Sequence, residues 1–531
     1  MTEPRDERPI AAESVYIVRG RHSTAAVARS LRALLSTHEH PILPHRFTLL
    51  DTFDARVRRA GARLTQSGPA ESPTIDWQPA GRRGRVRAQL ARPAAFAWEV
   101  PDGPLRDALS PVVGVRRLFA QADAEAHGTV LDIVDGRRKT VARVRIESGQ
   151  ARLPSFPSAW HELPTTVTLA SLQGYEEAYK RLVPIVESRP GLSSCPEGVD
   201  ALMLRRIGAP ERGDLSSPHL TLPFDVGAAD GARQIHRALV ANLTANEPGL
   251  RANFDTEFLH DFRVALRRTR SLLGQIKDVF PAAVVEHFSR EFSWIGRAAG
   301  PPRDLDVLAL ALRDLRDDIP AEDAAAVAAF LAELQEREHR SLIDALDSPR
   351  YQALVSDWEA FLSQPMAPDA QLRNARRPLK EIVARRAWRL SRRIADSADM
   401  IDNWTATRDI HGVRIDAKKL RYLIDMTPAF FDTRDLTCIL SALKKLQRVL
   451  GDFNDAQVQE ARLVECGRAL GAAGGPAGAL LAFGRLAEER RHRRETLRAE
   501  VIERLSRFRD TETRQACKRA FKHASAAQTT R

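Results

Sequence analysis

The segment His260-Asp-Phe-Arg263-Val-Ala-Leu-Arg267-Arg-Thr-Arg270 can be laid without a gap over His411-Gly-Val-Arg414-Ile-Asp-Ala-Lys418-Lys-Leu-Arg421. In each, a histidine is followed by basic residues at +3, +7 and +10. At roughly 100° per residue these four positions share an arc of about 80° on an α-helix and span about 15 Å of its length. Each segment therefore reads as a helix with one narrow cationic stripe headed by an imidazole. The offset 411 − 260 = 151 also superposes Phe280 on Phe431, Arg297 on Arg448, Gly300 on Gly451, Asp304 on Asp455 and Val307 on Val458. Glu336-Arg-Glu-His339-Arg340 and Glu489-Arg-Arg-His492-Arg493 match at an offset of 153, so two inserted residues separate the copies there. The pattern is that of a tandem duplication.

Coincidence accounts poorly for the stripe. With 81 basic residues in 531 and 14 histidines, about 0.05 such stripes are expected, and two occur in register. A solvated helix face normally mixes signs at i,i+4, because like charges there repel. This one presents cations alone.

Around the stripes, from Ala232 onward, Leu, Val, Ile and Phe recur every three or four residues in Ala/Arg/Glu-rich stretches. Breaks are expected at Pro281, Gly300–Pro302, Pro320, Pro365 and Gly471–Pro476. This predicts an all-α domain over 226–510, with halves of about 226–365 and 366–510, followed by a basic tail at 511–531. A Gly/Pro/Ser-rich segment at 207–225 reads as a linker. Upstream, over 1–206, short β-branched runs (Val15–Val18, Val130–Ile133, Thr140–Ile146 and Thr165–Leu169) predict strands. One helix, Ala25–Leu35, interrupts them, and Asp135-Gly-Arg-Arg138 reads as a hairpin turn. The expectation is a multidomain protein whose N-terminal domain is α+β, dominated by an antiparallel sheet.

The whole chain is 43% hydrophobic and 28% charged with a net charge of +12, a globular composition in which polyanions are the favoured class of partner. Cys195, Cys438, Cys466 and Cys517 show no C-x-x-C spacing, the first ten residues lack an apolar signal core, and no membrane-length apolar run occurs. A cytoplasmic protein with no membrane partner is expected.

Leu259 to Leu273, Ile410 to Leu423 and Leu443 to Val458 together resemble the CHAD domain, the conserved histidine α-helical domain, over about residues 228 to 510. The resemblance implies two pseudo-symmetric helical bundles enclosing a basic cleft or pore that binds inorganic polyphosphate; a place on polyphosphate granules in a bacterium is the accompanying expectation. Carried over by position, the implied contacts are His260, Arg263, Arg267 and Arg270 in one half and His411, Arg414, Lys418 and Arg421 in the other. The histidines either donate to phosphate or are helix-packing residues. Asp304 and Asp455 are expected as caps or as partners orienting arginines. Arg386, Arg389 and Arg393 share one helix face and either extend the cleft wall or form a solvated face; Arg297 and Arg448 are further candidates for that wall. Pro301 and Pro302 depart from the family pattern, the second half having Asp452 and Phe453.

Thr48 to Leu64 and Asp135 to Glu147 resemble pieces of the CYTH fold, a triphosphate tunnel barrel. Catalytic members of that family begin with an E-x-E-x-K strand whose carboxylates hold divalent metal. Here the corresponding strand, Glu13 to Ile17, keeps one carboxylate, and Thr65 stands where an arginine is expected. A hard metal at a phosphoryl-transfer site needs more carboxylate charge than that. The arginines of this region, among them Arg82, Arg83, Arg85, Arg87, Arg143 and Arg145, either line a remnant tunnel or coat the exposed face of the sheet. His38, His40 and His45 are expected in a surface loop.

The leading expectation is thus a polyphosphate-binding protein with no catalytic residues, no metal site and no cofactor. The rivals are a metal-dependent triphosphatase or polyphosphatase using the N-terminal domain, and a nucleic-acid-binding protein. The sequence leaves the oligomeric state open.

Overall fold

The computed structural model describes residues 10–20, 24–79, 84–154, 158–189, 191–210, 220–313, 320–364 and 372–523, without the side chains of 10, 11, 311–313 and 523. Arg82, Arg83, Pro365 and the middle of the expected linker, 211–219, lie outside the described residues. The chain divides into two compact units, residues 1–214 and 215–531.

Among its described residues the first unit is built on nine antiparallel strands: β1 (Ile10–Val18), β2 (Thr37–Thr52), β3 (Arg63–Ser67), β4 (Thr74–Gln78), β5 (Val86–Gln89), β6 (Leu118–Val134), β7 (Thr140–Arg152), β8 (His161–Leu172) and β9 (Leu192–Ser194). Their spatial order is β5-β4-β3-β2-β6-β7-β8-β1-β9. Period-two alternation sends Leu131, Ile133, Val144, Ile146, Val167 and Leu169 to one face, where α1 (Thr24–Arg32) covers them. Two short helices, α2 (Arg56–Arg59) and α3 (Pro104–Val113), add Val57, Leu105 and Leu109 to a second cluster with Leu50, Leu64 and Trp77. After β8, α4 (Glu176–Glu187) and α5 (Gly198–Arg206) complete the unit. The β6–β7 hairpin turns at Asp135, whose carboxylate accepts from the backbone N–H groups of Arg137 and Lys139, and Arg138 takes φ 60° to close it.

His38, His40 and His45 correct one expectation, since they lie on β2 rather than in a loop. Thr37–Ile42 and His45–Thr52 both pair with β6, and the register shift between Ile42 and His45 absorbs the interruption around Pro44.

The second unit is all-helical. Its first half contains α6 (Ala228–Arg251), α7 (Thr256–Gln275), α8 (Ala282–Ala298), α9 (Gly300–Arg313), α10 (Ala321–Asp347) and α11 (Pro349–Ser363). The second contains α12 (Leu379–Asp396), α13 (Thr407–Met426), α14 (Thr433–Ala472), α15 (Ala477–Phe508) and α16 (Thr511–Cys517). The stripe helices have equivalent bounds, 256 + 151 = 407 and 275 + 151 = 426. Where the second half runs straight through Gly451 in α14, the first is broken at Ala299. Pro301 and Pro302 lack the N–H a continuous helix needs there, and they are tolerated in the first turn of α9.

The halves also meet through duplicated backbone. The Ala228 N–H donates to the Arg377 carbonyl at 2.8 Å, and the Leu379 N–H donates to the Val226 carbonyl at 2.9 Å. Since 228 + 151 = 379 and 226 + 151 = 377, the two bonds are each other's images across a pseudo-twofold through the Gly227–Pro378 bridge. Elsewhere Leu305, Leu308, Val327 and Leu331 of the first half share a core with Leu463, Cys466, Leu470 and Phe483 of the second.

The expected tail at 511–531 is corrected over its described part. Thr511–His523 is helical, Ala516, Cys517 and Phe521 are buried, and the Phe521 ring meets Phe431 edge-on at 5.2 Å. Its apolar residues at 516, 517, 520 and 521 form one helical face, which the basic residues between them obscured. Residues 524–531 lie outside the described residues. At the expected linker, Ile207 is buried in the first unit, and Leu222 is buried as well. All four cysteines are free. Among the described residues no helix is long and apolar enough to cross a membrane.

Candidate functional site

The stripe helices form because each has a buried apolar face and, in one case, a strong cap. On α7, Phe258, Leu259, Phe262, Leu266 and Leu273 are buried, and the Asp255 carboxylate accepts from the backbone N–H groups of Glu257 and Phe258. On α13 the buried face is Ile410, Val413, Ala417, Leu420 and Ile424. The two helices pack on each other. Gln275 Nε2 donates to the Lys419 carbonyl at 3.4 Å, and Arg268 lies 3.6 Å from Asp425.

This packing brings four of the eight stripe residues together. Lys418 is under the influence of Arg267 and Arg263 from the opposite half as well as of Arg414 on its own helix, and Arg414 in turn feels Arg267. Burial and neighbouring cations push the Arg263 guanidinium below its ordinary range, with Asp304 opposing them; Arg414 is lowered in the same way, with Asp455 opposing. The same causes push the Lys418 ammonium down to about 7. Nε of Arg267 and Nε of Arg414 are buried and have no hydrogen-bond partner among the described residues. Such a site carries unspent donor capacity and excess positive charge, and an anion would relieve both.

The two copies orient their arginines in parallel ways. Arg414 lies 4.0 Å from Asp455. Asp304, at the equivalent position, is the carboxylate that acts on Arg263, and burial raises its own pKa. Arg263 Nη1 also donates to the Gly296 carbonyl at 3.4 Å. These carboxylates are thus partners of the stripe arginines and not helix caps. Asp304 and Asp455 feel each other's charge, so the pseudo-twofold brings the helical segments after Gly300 and Gly451 to one place.

The outer stripe residues have local partners. His411 Nδ1 bonds to Asn454 Oδ1 at 3.0 Å on an exposed edge, and Arg421 donates to Asp425 at 2.7 Å. His260 is half-buried, one turn before Arg263. Arg270 sits near Arg297, and partial desolvation together with that neighbouring cation lowers its pKa. Arg448, the counterpart of Arg297, is exposed and turned to Glu500 at 4.0 Å.

The row Arg386, Arg389 and Arg393 does not join the stripes. Arg393 pairs with the buried Asp416 at 2.7 Å, and Arg386 is influenced by Arg393, Asp416 and Arg389. Asp416 lies about 180° around α13 from the mean direction of the stripe. This row is a separate surface on the far flank.

Sequence reading missed Asn454, Arg268 and Asp425. Arg268 directly follows a stripe position, but Asp425 has Gly274 as its counterpart, so no repeat could announce that pair.

In the first unit the sheet curls. Glu13 on β1 and Arg63 on β3 are separated by four intervening strands, yet they influence each other, together with Arg145 and Glu147 on β7 and Asp200 on α5. Its charges are mutually engaged, with Arg63 3.0 Å from Asp200, Arg145 2.9 Å from Glu147 and Arg143 2.7 Å from Asp132. Arg85 and Arg87 both bind Asp76. Burial raises the Glu13 carboxyl pKa, with Arg63 and Arg145 opposing.

Residues 234–464 match the family model of the CHAD domain. An uncharacterised protein of Mycobacterium tuberculosis is 27% identical over 292 residues, 53% of each chain, so the chain spans about half the length of that curated relative. Among solved structures, the CHAD domain from the plant Ricinus communis aligns with a TM-score of 0.46 at 23% identity, over 54% of this chain and 94% of that one. PptA from Streptomyces chartreusis aligns with a TM-score of 0.40 at 17% identity, over 52% of this chain and 99% of its own. The amino-terminal sheet resembles a Bacillus halodurans structure described as a candidate adenylate cyclase, with a TM-score of 0.24 at 13% identity, over 36% of this chain and 94% of that one.

Proposed function

We propose, from the premise that residues 234–464 are a CHAD domain, that this domain binds inorganic polyphosphate between its two stripe helices and does so without catalysis. The observation that carries the reading is the convergence of Arg263, Arg267, Arg414 and Lys418 from two halves of the fold, with the Nε atoms of Arg267 and Arg414 lacking an acceptor among the described residues. A flexible chain of phosphates can follow a row of fixed cations, each Arg forking two bonds to phosphate oxygens and Lys acting as a point charge. Asp304 and Asp455 hold the arginines in place for it. Binding of this kind would target the protein to polyphosphate granules in the cytoplasm.

The absence of catalysis is supported by the first unit, where the acidic side chains of the curled face are engaged by arginines and Glu13 stands as the one carboxylate of its strand motif. Competition on the full-length protein among long-chain polyphosphate, duplex DNA and single-stranded RNA tests the ligand class. Polyphosphate should displace both nucleic acids at equal phosphate concentration. Preferential retention of DNA or RNA would overturn the reading, and phosphate release from tripolyphosphate with Mg²⁺ or Mn²⁺ would overturn its non-catalytic half.

A further inference from the structure

The second cationic row is gripped from both sides by side-chain amides. Gln447 on α14 donates from Nε2 to the Ala417 carbonyl at 2.7 Å. From α7 the buried Gln275 donates to the Lys419 carbonyl at 3.4 Å, its other Nε2 hydrogen going to Ser271 Oγ at 2.8 Å. The two accepting carbonyls flank Lys418 in sequence, and at about 100° per residue they stand about 200° apart around α13. Counted from Ala417, stripe positions 421, 414, 418 and 411 fall at about 40°, 60°, 100° and 120°, inside the arc between the grips; Asp416 falls outside it at about 260°. The row therefore faces out between α7 and α14, the two helices that hold it.

Neither grip is repeated in the first half. Gln447 has Gly296 as its counterpart (447 − 151 = 296) and Gln275 has Met426 (275 + 151 = 426), and neither of these can donate from a side chain. There the contact runs the other way. The Gly296 carbonyl accepts from Arg263 Nη1 at 3.4 Å, and a Cβ placed on Gly300 would stand 3.4 Å from the same nitrogen, so this guanidinium is seated against backbone. At Gly451, the equivalent of Gly300, a Cβ would meet nothing within 4 Å among the described residues. Arg414 has Asp455 at 4.0 Å instead.

We propose that Gln447 and Gln275 are positioning residues of the anion seam, fixing the rotation and height of α13 so that Arg414 and Lys418 meet the first row in register. The inference rests on the polyanion reading above. A carbonyl inside a helix spends one lone pair on the helix and keeps the other for a second donor, so the amides hold α13 by its backbone without unwinding it. Arg263 takes its place from its own seat on backbone, whereas Arg414 takes its place from the helix that carries it. Guanidinium and ammonium heads stand far outside the helix axis, so a small turn of α13 moves them more than it moves the backbone. Charge-assisted bonds to phosphate oxygens span only about 2.7–2.9 Å, and such a turn breaks them. The apolar face of Ile410, Val413, Ala417 and Leu420 keeps α13 packed without the grips. The amides thus decide how many cations reach one phosphate chain together.

Methionine matches glutamine in length and lacks the donor. Binding of long-chain polyphosphate to full-length Gln447→Met, and to the double variant with Gln275→Met, is measured by fluorescence anisotropy over a range of salt, alongside thermal melts. Gln447→Met should weaken binding by about threefold and the double variant by about tenfold, a hydrogen bond's worth for each grip. The slope of log K against log salt should become shallower by about 0.7 for each cation put out of reach. A purely structural role would lower the melting temperature and leave the slope of the folded protein at the parent value, and that result overturns the inference. Coupling gives the second readout. With Arg414 and Lys418 both replaced by alanine, Gln447→Met should change the remaining affinity by less than about twofold. An equal loss in both backgrounds means that the glutamine does not act through this row, and also overturns the inference. Should the double variant fail to fold, Gln447→Met alone and its coupling decide. Parent-like affinity and slope in the variants overturn the inference and leave the polyphosphate reading standing. No binding by the parent at moderate salt overturns that reading and this inference with it.

Discussion

Arg414 stands 4.0 Å from Asp455, and 151 residues earlier Asp304 is the carboxylate that acts electrostatically on Arg263. The Arg414 side chain is 17% exposed and that of Asp455 is 60% exposed, so the carboxylate sits at the mouth and the guanidinium within. Asp455 thus places a negative charge beside Arg414 with which an incoming anion would compete.

Removing that competitor should strengthen anion binding. For Asp455→Asn, the expected change is a tightening of polyphosphate binding by about two- to fivefold at moderate salt, the size of a partly screened charge interaction. Fluorescence anisotropy with labelled polyphosphate measures it. Weaker binding by this variant would mean that Asp455 acts mainly by orienting Arg414.

The far-flank row supplies a control. Arg389→Ala should change polyphosphate affinity by less than about twofold, because Arg389 belongs to the cluster facing Asp416. Arg267→Ala, which removes a charge-assisted donor from the seam, should weaken binding by about tenfold or more. Equal losses in the two variants would place the ligand outside the seam.

The carboxy-terminal helix belongs to the fold. Phe521→Ala empties a fully buried position against Phe431 and should cost about 3–5 kcal/mol in chemical denaturation. A melting curve superimposable on that of the parent would restore the picture of a dispensable basic tail.

Asp306 gives a pH signature for stability. Burial raises its pKa to about 6, against the hydrogen bond it accepts from Gln335 at 3.0 Å. The folded state therefore holds a proton that the unfolded state has released between about pH 4 and 6. Stability is lost as pH rises through that window. Asp306→Asn keeps an acceptor for Gln335 and should raise stability at pH 7 by about 1 kcal/mol, with no gain at pH 3.5. Thermal melts at the two pH values check this.

The duplication was legible from the start because a repeat of basic residues at helical spacing is a rare pattern that depends on no tertiary context. It carried the two stripe helices to within their bounds and announced the pseudo-twofold. What it could not carry were contacts lacking a repeat, such as Arg268 with Asp425 or His411 with Asn454. Nor could spacing show that Arg386, Arg389 and Arg393 face away from the seam, since a basic row looks the same on either flank until its neighbours are known. The histidines of β2 were misread for a related reason. Pro41 and Pro44 signal a loop locally, but pairing with the long β6 overrode that signal.

The central claim is that Arg263, Arg267, Arg414 and Lys418 jointly hold a polyphosphate chain, and replacing all four with alanine tests it most directly. Binding of long-chain polyphosphate would be measured from about 50 to 200 mM salt, with circular dichroism confirming that the variant remains helical. For the parent, log K should fall linearly with log salt with a slope near −3, about −0.7 for each of four released counterions. The variant should lose both the affinity and most of that slope. A folded variant that binds as tightly as the parent, with the same slope, would contradict the account.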